Sequence, residues 1–148
     1  MTRLMQILPC ALATLLIAAF VGPKVANAQR IEDSQAGKAA AAARAQAEFG
    51  TLQGRWVRPD GGYVIDIRAI EAGGKLEASY ANPRPLPFAV AQASSEGGVL
   101  KVFFELRAGG YNGSTYTLTY DPAKDVLKGV YYQAVAGQSF DVYFVRAK

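Results

Sequence analysis

The 148-residue chain is half apolar and about one-fifth charged, a balance that suits one folded domain rather than a chain disordered throughout. Its one cysteine is Cys10 and it has no histidine, so beyond residue 28 thiol nucleophiles, histidine triads, Cys/His zinc sites and disulfides are all excluded. Sixteen basic residues stand against twelve acidic ones; without Arg3 and Lys24 the count is 14 against 12, a net charge of +2 that gives no strong hold on nucleic acid.

Arg3 opens a short positive stretch, Ile7 to Val21 is almost wholly apolar, and Gly22-Pro23 breaks the run before Ala26-Asn27-Ala28. That order reads as a secretory signal peptide over residues 1–28, cut after Ala28 and directing the chain to the bacterial periplasm or beyond. An uncleaved anchor needs about 20 apolar residues, and Pro9 interrupts this shorter run. No membrane span is expected after cleavage. Cys10 sits behind Pro9 with most of the apolar run after it, so it is read as discarded with the signal rather than lipidated.

Residues 29–50 are rich in Ala, Gln and charged residues, with "KAAAAARAQAEF" near the centre. Alanine favours helix, and Asp33 or Ser34 is placed to cap one. Without a stripe of large apolar residues, the segment reads as a tether or frayed helix with little core role. The domain proper is then expected over residues 51–148.

From Gly54 the pattern changes to short alternating runs: "YVIDIRAI", "KLEASYA", "VLKVFFELR", "STYTLTYD", "VLKGVYYQA" and "SFDVYFVR". Period-two alternation marks half-buried antiparallel strands. Between them, Pro59-Asp60-Gly61-Gly62, Glu71-Ala72-Gly73-Gly74, Ser95-Glu96-Gly97-Gly98, Asn112-Gly113 and Asp121-Pro122 supply turn chemistry. With a first strand at Arg55-Trp56 and a weaker one over Pro87 to Ala93, about eight strands are expected, in an all-β up-and-down barrel or a sandwich. "YANPRPLPF" reads as an edge connection, with a lid or recognition loop as the other reading. Asn112-Gly113-Ser114 matches a glycosylation acceptor but reads better as an Asn-Gly turn.

The Gly54-Arg55-Trp56 opening of the first strand resembles the calycin superfamily, the lipocalin and avidin-type barrels, and "KLEASYA" is similar to a second-hairpin pattern of small avidin-like barrels. The resemblance implies an eight-stranded barrel with Trp56 packed at its end under an arginine from near the last strand. Arg146 continues the register of Phe140, Val142 and Phe144 and fits that role. A second lipocalin motif and a biotin-type cluster are missing from the sequence, so only the architecture and the barrel-end pair are carried over. The chain also resembles small exported bacterial proteins of uncharacterised function.

Alternation places Tyr63, Tyr80, Tyr116, Tyr120, Tyr131 and Gln133 inside the barrel. There they either fill the interior or line a site for one small hydrophobic or amphipathic molecule. Asp66, Glu77, Glu105 and Asp141 fall on the polar faces, and Asp121 and Asp125 bracket the turn "DPAKD", so no enzyme, metal or cofactor is expected. Outward Phe103, Tyr132 and Tyr143, beside Lys101, Lys128 and Arg107, support the alternative: an interaction or enzyme-inhibitor module that binds an envelope protein.

Overall fold

The chain emerges from one long helix into a β-meander. The computed structural model describes residues 23–148: helix α1 (Pro23–Gly50) and nine strands. The expected signal peptide lies outside the described residues as far as residue 22, and its cut after Ala28 falls within α1. Because α1 already begins at Pro23, residues 33 and 34 lie inside the helix rather than at its start. A structural division falls between Gln35 and Ala36, and the whole sheet belongs to the unit from Ala36 onward.

The strands are β1 (Gly54–Val57), β2 (Val64–Ile70), β3 (Leu76–Ala81), β4 (Pro85–Pro87), β5 (Val90–Glu96), β6 (Val99–Leu106), β7 (Ser114–Asp121), β8 (Val126–Gln133) and β9 (Gln138–Arg146). All neighbours are antiparallel, in the order β4-β3-β2-β1-β9-β8-β7-β6-β5. The sheet is strongly curled, in general keeping with a calycin-type barrel. Its two ends meet at one bridge, Lys75 to Gln92, reinforced by the Ala93 amide donating to the Gly74 carbonyl at 2.7 Å. Gly74 is required there. Its φ is +81°, and a Cβ would lie 2.3 Å from the Ala93 carbonyl oxygen.

Nine strands stand where about eight are expected; the additional one is β4, three residues long, paired to β3 through Tyr80↔Leu86 and its neighbours. It forms inside the proline-rich segment because an edge strand needs hydrogen bonds on one side only. The expected Asn-Gly turn precedes β7, with Gly113 at φ +77° and Ser114 fully buried, its Oγ accepting from the Ala134 amide at 3.2 Å.

Alternation sorts the faces as the sequence implies. Ile65, Ile67, Leu76, Leu100, Val102, Phe104, Leu106, Leu118, Leu127, Val142 and Phe144 are buried, whereas Phe103, Tyr132 and Tyr143 are exposed. Burying so many large side chains supplies the main drive for folding a chain without disulfides, at roughly 1.5–3 kcal/mol each before entropy is subtracted. The helix departs from expectation. Phe49 and Leu52, at and just past its C-terminus, join this core, and Ala45 packs against it. Glu48 accepts from the Ser95 hydroxyl at 3.0 Å. The last turn of α1 is therefore part of the β unit, a role hidden in sequence because only one large apolar residue carries it.

Candidate functional site

The two ends of the curled sheet carry different constructions. At the end where β1 begins, Trp56 is fully buried and its indole donates to the Leu52 carbonyl at 2.9 Å. The Arg146 guanidinium lies 4.2 Å above the Trp56 ring, and the two residues are direct partners across β1 and β9. Arg146 Nε and Nη2 donate to the Asp125 carboxylate at 2.7 and 3.0 Å, while Nη1 and Nη2 reach the Gln53 and Thr51 carbonyls at 2.7 Å each. Gly54 makes that approach possible, because a Cβ on it would lie 2.8 Å from Arg146 Nη1. The hydrogen bonds to Arg146 pull the Asp125 carboxyl below its usual range, and Asp125 in turn holds Arg146 charged. The Trp56 indole, the Arg146 guanidinium and the Asp125 carboxylate each have a partner within the chain.

At the opposite end a cavity of about 280 Å³ opens between the inward faces, lined by Arg58, Tyr63, Tyr80, Tyr111, Tyr131, Gln133 and Phe140. Tyr80 is its hub. Its ring stacks toward Tyr63 at 6.3 Å, meets Tyr111 edge-on at 5.5 Å and lies 6.2 Å from Phe88. The residue is fully buried; its hydroxyl is shut off from solvent and makes no hydrogen bond of good geometry, its polar neighbours being the Tyr116 and Tyr111 hydroxyls. Burial lifts the Tyr80, Tyr116 and Tyr131 hydroxyls above the ordinary phenol value, so all three stay protonated. A buried hydroxyl without a well-formed hydrogen bond costs about 1–3 kcal/mol.

Arg58 supplies the only charge in the lining. Its guanidinium lies 4.5 Å over the Tyr63 ring and grips Asp60 with Nε–Oδ1 at 2.6 Å and Nη2–Oδ2 at 2.7 Å. The hydrogen bonds between them raise Arg58 and lower Asp60. The hairpin between β1 and β2 presents this pair, with the Arg58 amide donating to the Tyr63 carbonyl at 2.9 Å.

Of the six residues expected inside, the structure gathers Tyr63, Tyr80, Tyr131 and Gln133 around this cavity. Tyr116 stands behind the lining, stacked on Tyr131 at 4.5 Å. Tyr120 lies elsewhere: it meets Trp56 edge-on at 6.0 Å and donates to Asp125 at 3.0 Å. Alternation reports the face of a strand and not the height along it, and Tyr120 is four residues, about 13 Å of strand, from Tyr116. Sequence reasoning did not single out Arg58 for the interior, although it shares the parity of Trp56 two residues earlier. Tyr111 sits in a loop, where no periodicity exists to reveal it; the Asn82 side chain donates to its hydroxyl at 3.1 Å.

The carboxylates on the polar faces are spread apart, and no group of three or more metal-ligating side chains occurs among the described residues. Asp121 accepts from Lys128 at 2.9 Å and from the Ala123 amide at 3.1 Å, and Asp125 is held by Arg146, so the "DPAKD" carboxylates serve internal bonds. A wider, shallower groove runs over the outer face of β7 to β9, bounded by Asp121, Lys124, Lys128, Asp141 and Tyr143. No helix among the described residues is long and apolar enough to cross a membrane. The class so defined is a curled antiparallel β-sheet scaffold with a cavity at one end. No family model, curated protein or solved structure matches the chain.

Proposed function

We propose that the protein is a non-catalytic, exported binding protein that holds one small amphipathic molecule in the cavity at the open end of its sheet. The observation that carries this reading is the cavity itself, where the aromatic rings of Tyr63, Tyr80, Tyr131 and Phe140 surround one arginine and one amide. A concave, largely apolar site with a few convergent polar groups is what a small molecule binds. The calycin resemblance agrees in architecture, because such barrels bind at their mouths. Export rests on the leader pattern of residues 1–28, and the non-catalytic reading rests on the lack of histidine and cysteine beyond it.

Capacity narrows the ligand. About 280 Å³ is roughly nine water volumes, near the lower limit of small-molecule sites. That admits one substituted ring and not a long acyl chain. The test is native mass spectrometry of the gently purified protein, followed by NMR mapping of whatever copurifies. Shifts at Tyr63, Tyr80, Tyr131 and Gln133 are expected. Shifts confined to Phe103, Tyr132 and Tyr143 would move the function to the outer face and to a partner protein instead.

A further inference from the structure

We infer that the cavity selects a small ring-bearing carboxylate, with Arg58 as the anion-receiving group and Asp60 as its displaceable stand-in. The inference rests on the binding role proposed above and specifies the chemistry of that same site.

Polarity of the lining points first to an acceptor-rich ligand. The cavity contains one cation, four tyrosines and an amide, and no carboxylate. The tyrosine hydroxyls of the lining are donors as well as acceptors, and the Tyr111 oxygen already accepts from Asn82. A guanidinium beside hydroxyl donors matches a planar carboxylate, which takes two hydrogen bonds in parallel and more at its remaining lone pairs. The aromatic walls, Tyr63, Tyr80, Tyr131 and Phe140, match a ring behind that head.

The arrangement of Arg58 and Asp60 supplies the second, independent observation. Arg58 already holds a carboxylate in the two-pronged geometry a ligand would use, and the two bonds leave Nη1 unengaged. The two partners differ in hydration: the Arg58 side chain is 16% exposed and that of Asp60 is 60% exposed. Asp60 therefore retains most of its water while paired, and solvent screening makes it easy to release. A ligand carboxylate arriving from the cavity side exchanges one ion pair for another and places its ring against the aromatic walls. Asp60 acts as a placeholder that keeps a half-buried cation paired until the ligand arrives.

The experiment is calorimetric titration of the full chain, without its leader, with p-toluate and its neutral isostere p-toluamide, each site located by NMR. The acid is expected to bind about tenfold more tightly than the amide, the difference a charge-assisted hydrogen bond makes. Arg58→Gln is expected to bring the acid-to-amide ratio to about one without abolishing amide binding. Asp60→Asn is expected to tighten the acid several-fold and leave the amide unchanged, because the competing carboxylate is gone; a merely structural role for the pair would not produce that split. If Arg58→Gln fails to fold, Asp60→Asn carries the test. Equal binding of acid and amide in the cavity overturns the anion preference and keeps the binding role. Acid binding at Lys124 and Lys128 on the outer groove, or binding of neither probe, overturns both.

Discussion

The two ends of this sheet are built from the same materials, an arginine, tyrosines and an aspartate near a hairpin, yet they are finished differently. At the Trp56 end, Arg146 spends its donors on Asp125 and two backbone carbonyls, and the indole is bonded as well. At the cavity end, Arg58 pairs only with an exposed aspartate, and the Tyr80 hydroxyl makes no hydrogen bond of good geometry. One end is closed by bonds within the chain, and the other keeps a cavity. Substitutions at the two ends should therefore move different observables.

The largest effect is expected from Trp56→Ala, a loss of about 3–5 kcal/mol, as large aromatic truncations in cores produce. Thermal melting reads it; an unchanged midpoint would remove the distinction between the ends. Next comes Gly74→Ala at the seam, where a left-handed φ and a 2.3 Å approach to the Ala93 carbonyl leave no room for a methyl group. Its cost is about 1–3 kcal/mol, and amide exchange should show opening concentrated along β5 and the β2–β3 hairpin.

The Asp125–Arg146 pair gives a pH-dependent test. The folded carboxyl titrates below its unfolded value of about 3.9. Its stabilisation is therefore complete above that unfolded value and is lost as the pH falls through the lower folded one. Asp125→Asn should melt earlier than the parent at neutral pH, and the two curves should converge in acid. Curves that stay parallel to low pH would show that the pair does not contribute to the closed end. The smallest effect, and the one of opposite sign, is Tyr80→Phe. Removing a buried hydroxyl without a well-formed hydrogen bond should raise stability by about 1 kcal/mol. A loss of stability instead would mean that the open end is as fully satisfied as the closed one.

Most of the sheet was legible because alternation is a direct physical record of which side of a strand meets water. Ile65, Ile67, Val102, Phe104, Leu118 and Phe144 all follow it, and the calycin resemblance, with the register of Phe140, Val142 and Phe144, pairs Trp56 with Arg146. What stayed hidden depends on position along the strand or on loops. Tyr120 has the right parity for the cavity but the wrong height, and Tyr111 has no periodic neighbours to report it. Arg55, Arg58 and Asp60 have no structural assignment in the sequence and mark where that stretch would touch a partner; only the parity Arg58 shares with Trp56 points it inward, to the cavity. Asp125 was taken for turn chemistry because its partner lies 21 residues away, on another strand.

The proline-rich segment carries a consequence for how the protein behaves in a crowded compartment. Strand β4 lies at one margin of the sheet, and two of its three residues, Pro85 and Pro87, have no backbone N–H. A passing chain that tried to extend the sheet there would find the template mostly blank. The residues that make this segment look unlike a strand are the ones that keep it the last strand, so copies of the protein can accumulate without zipping together at that margin.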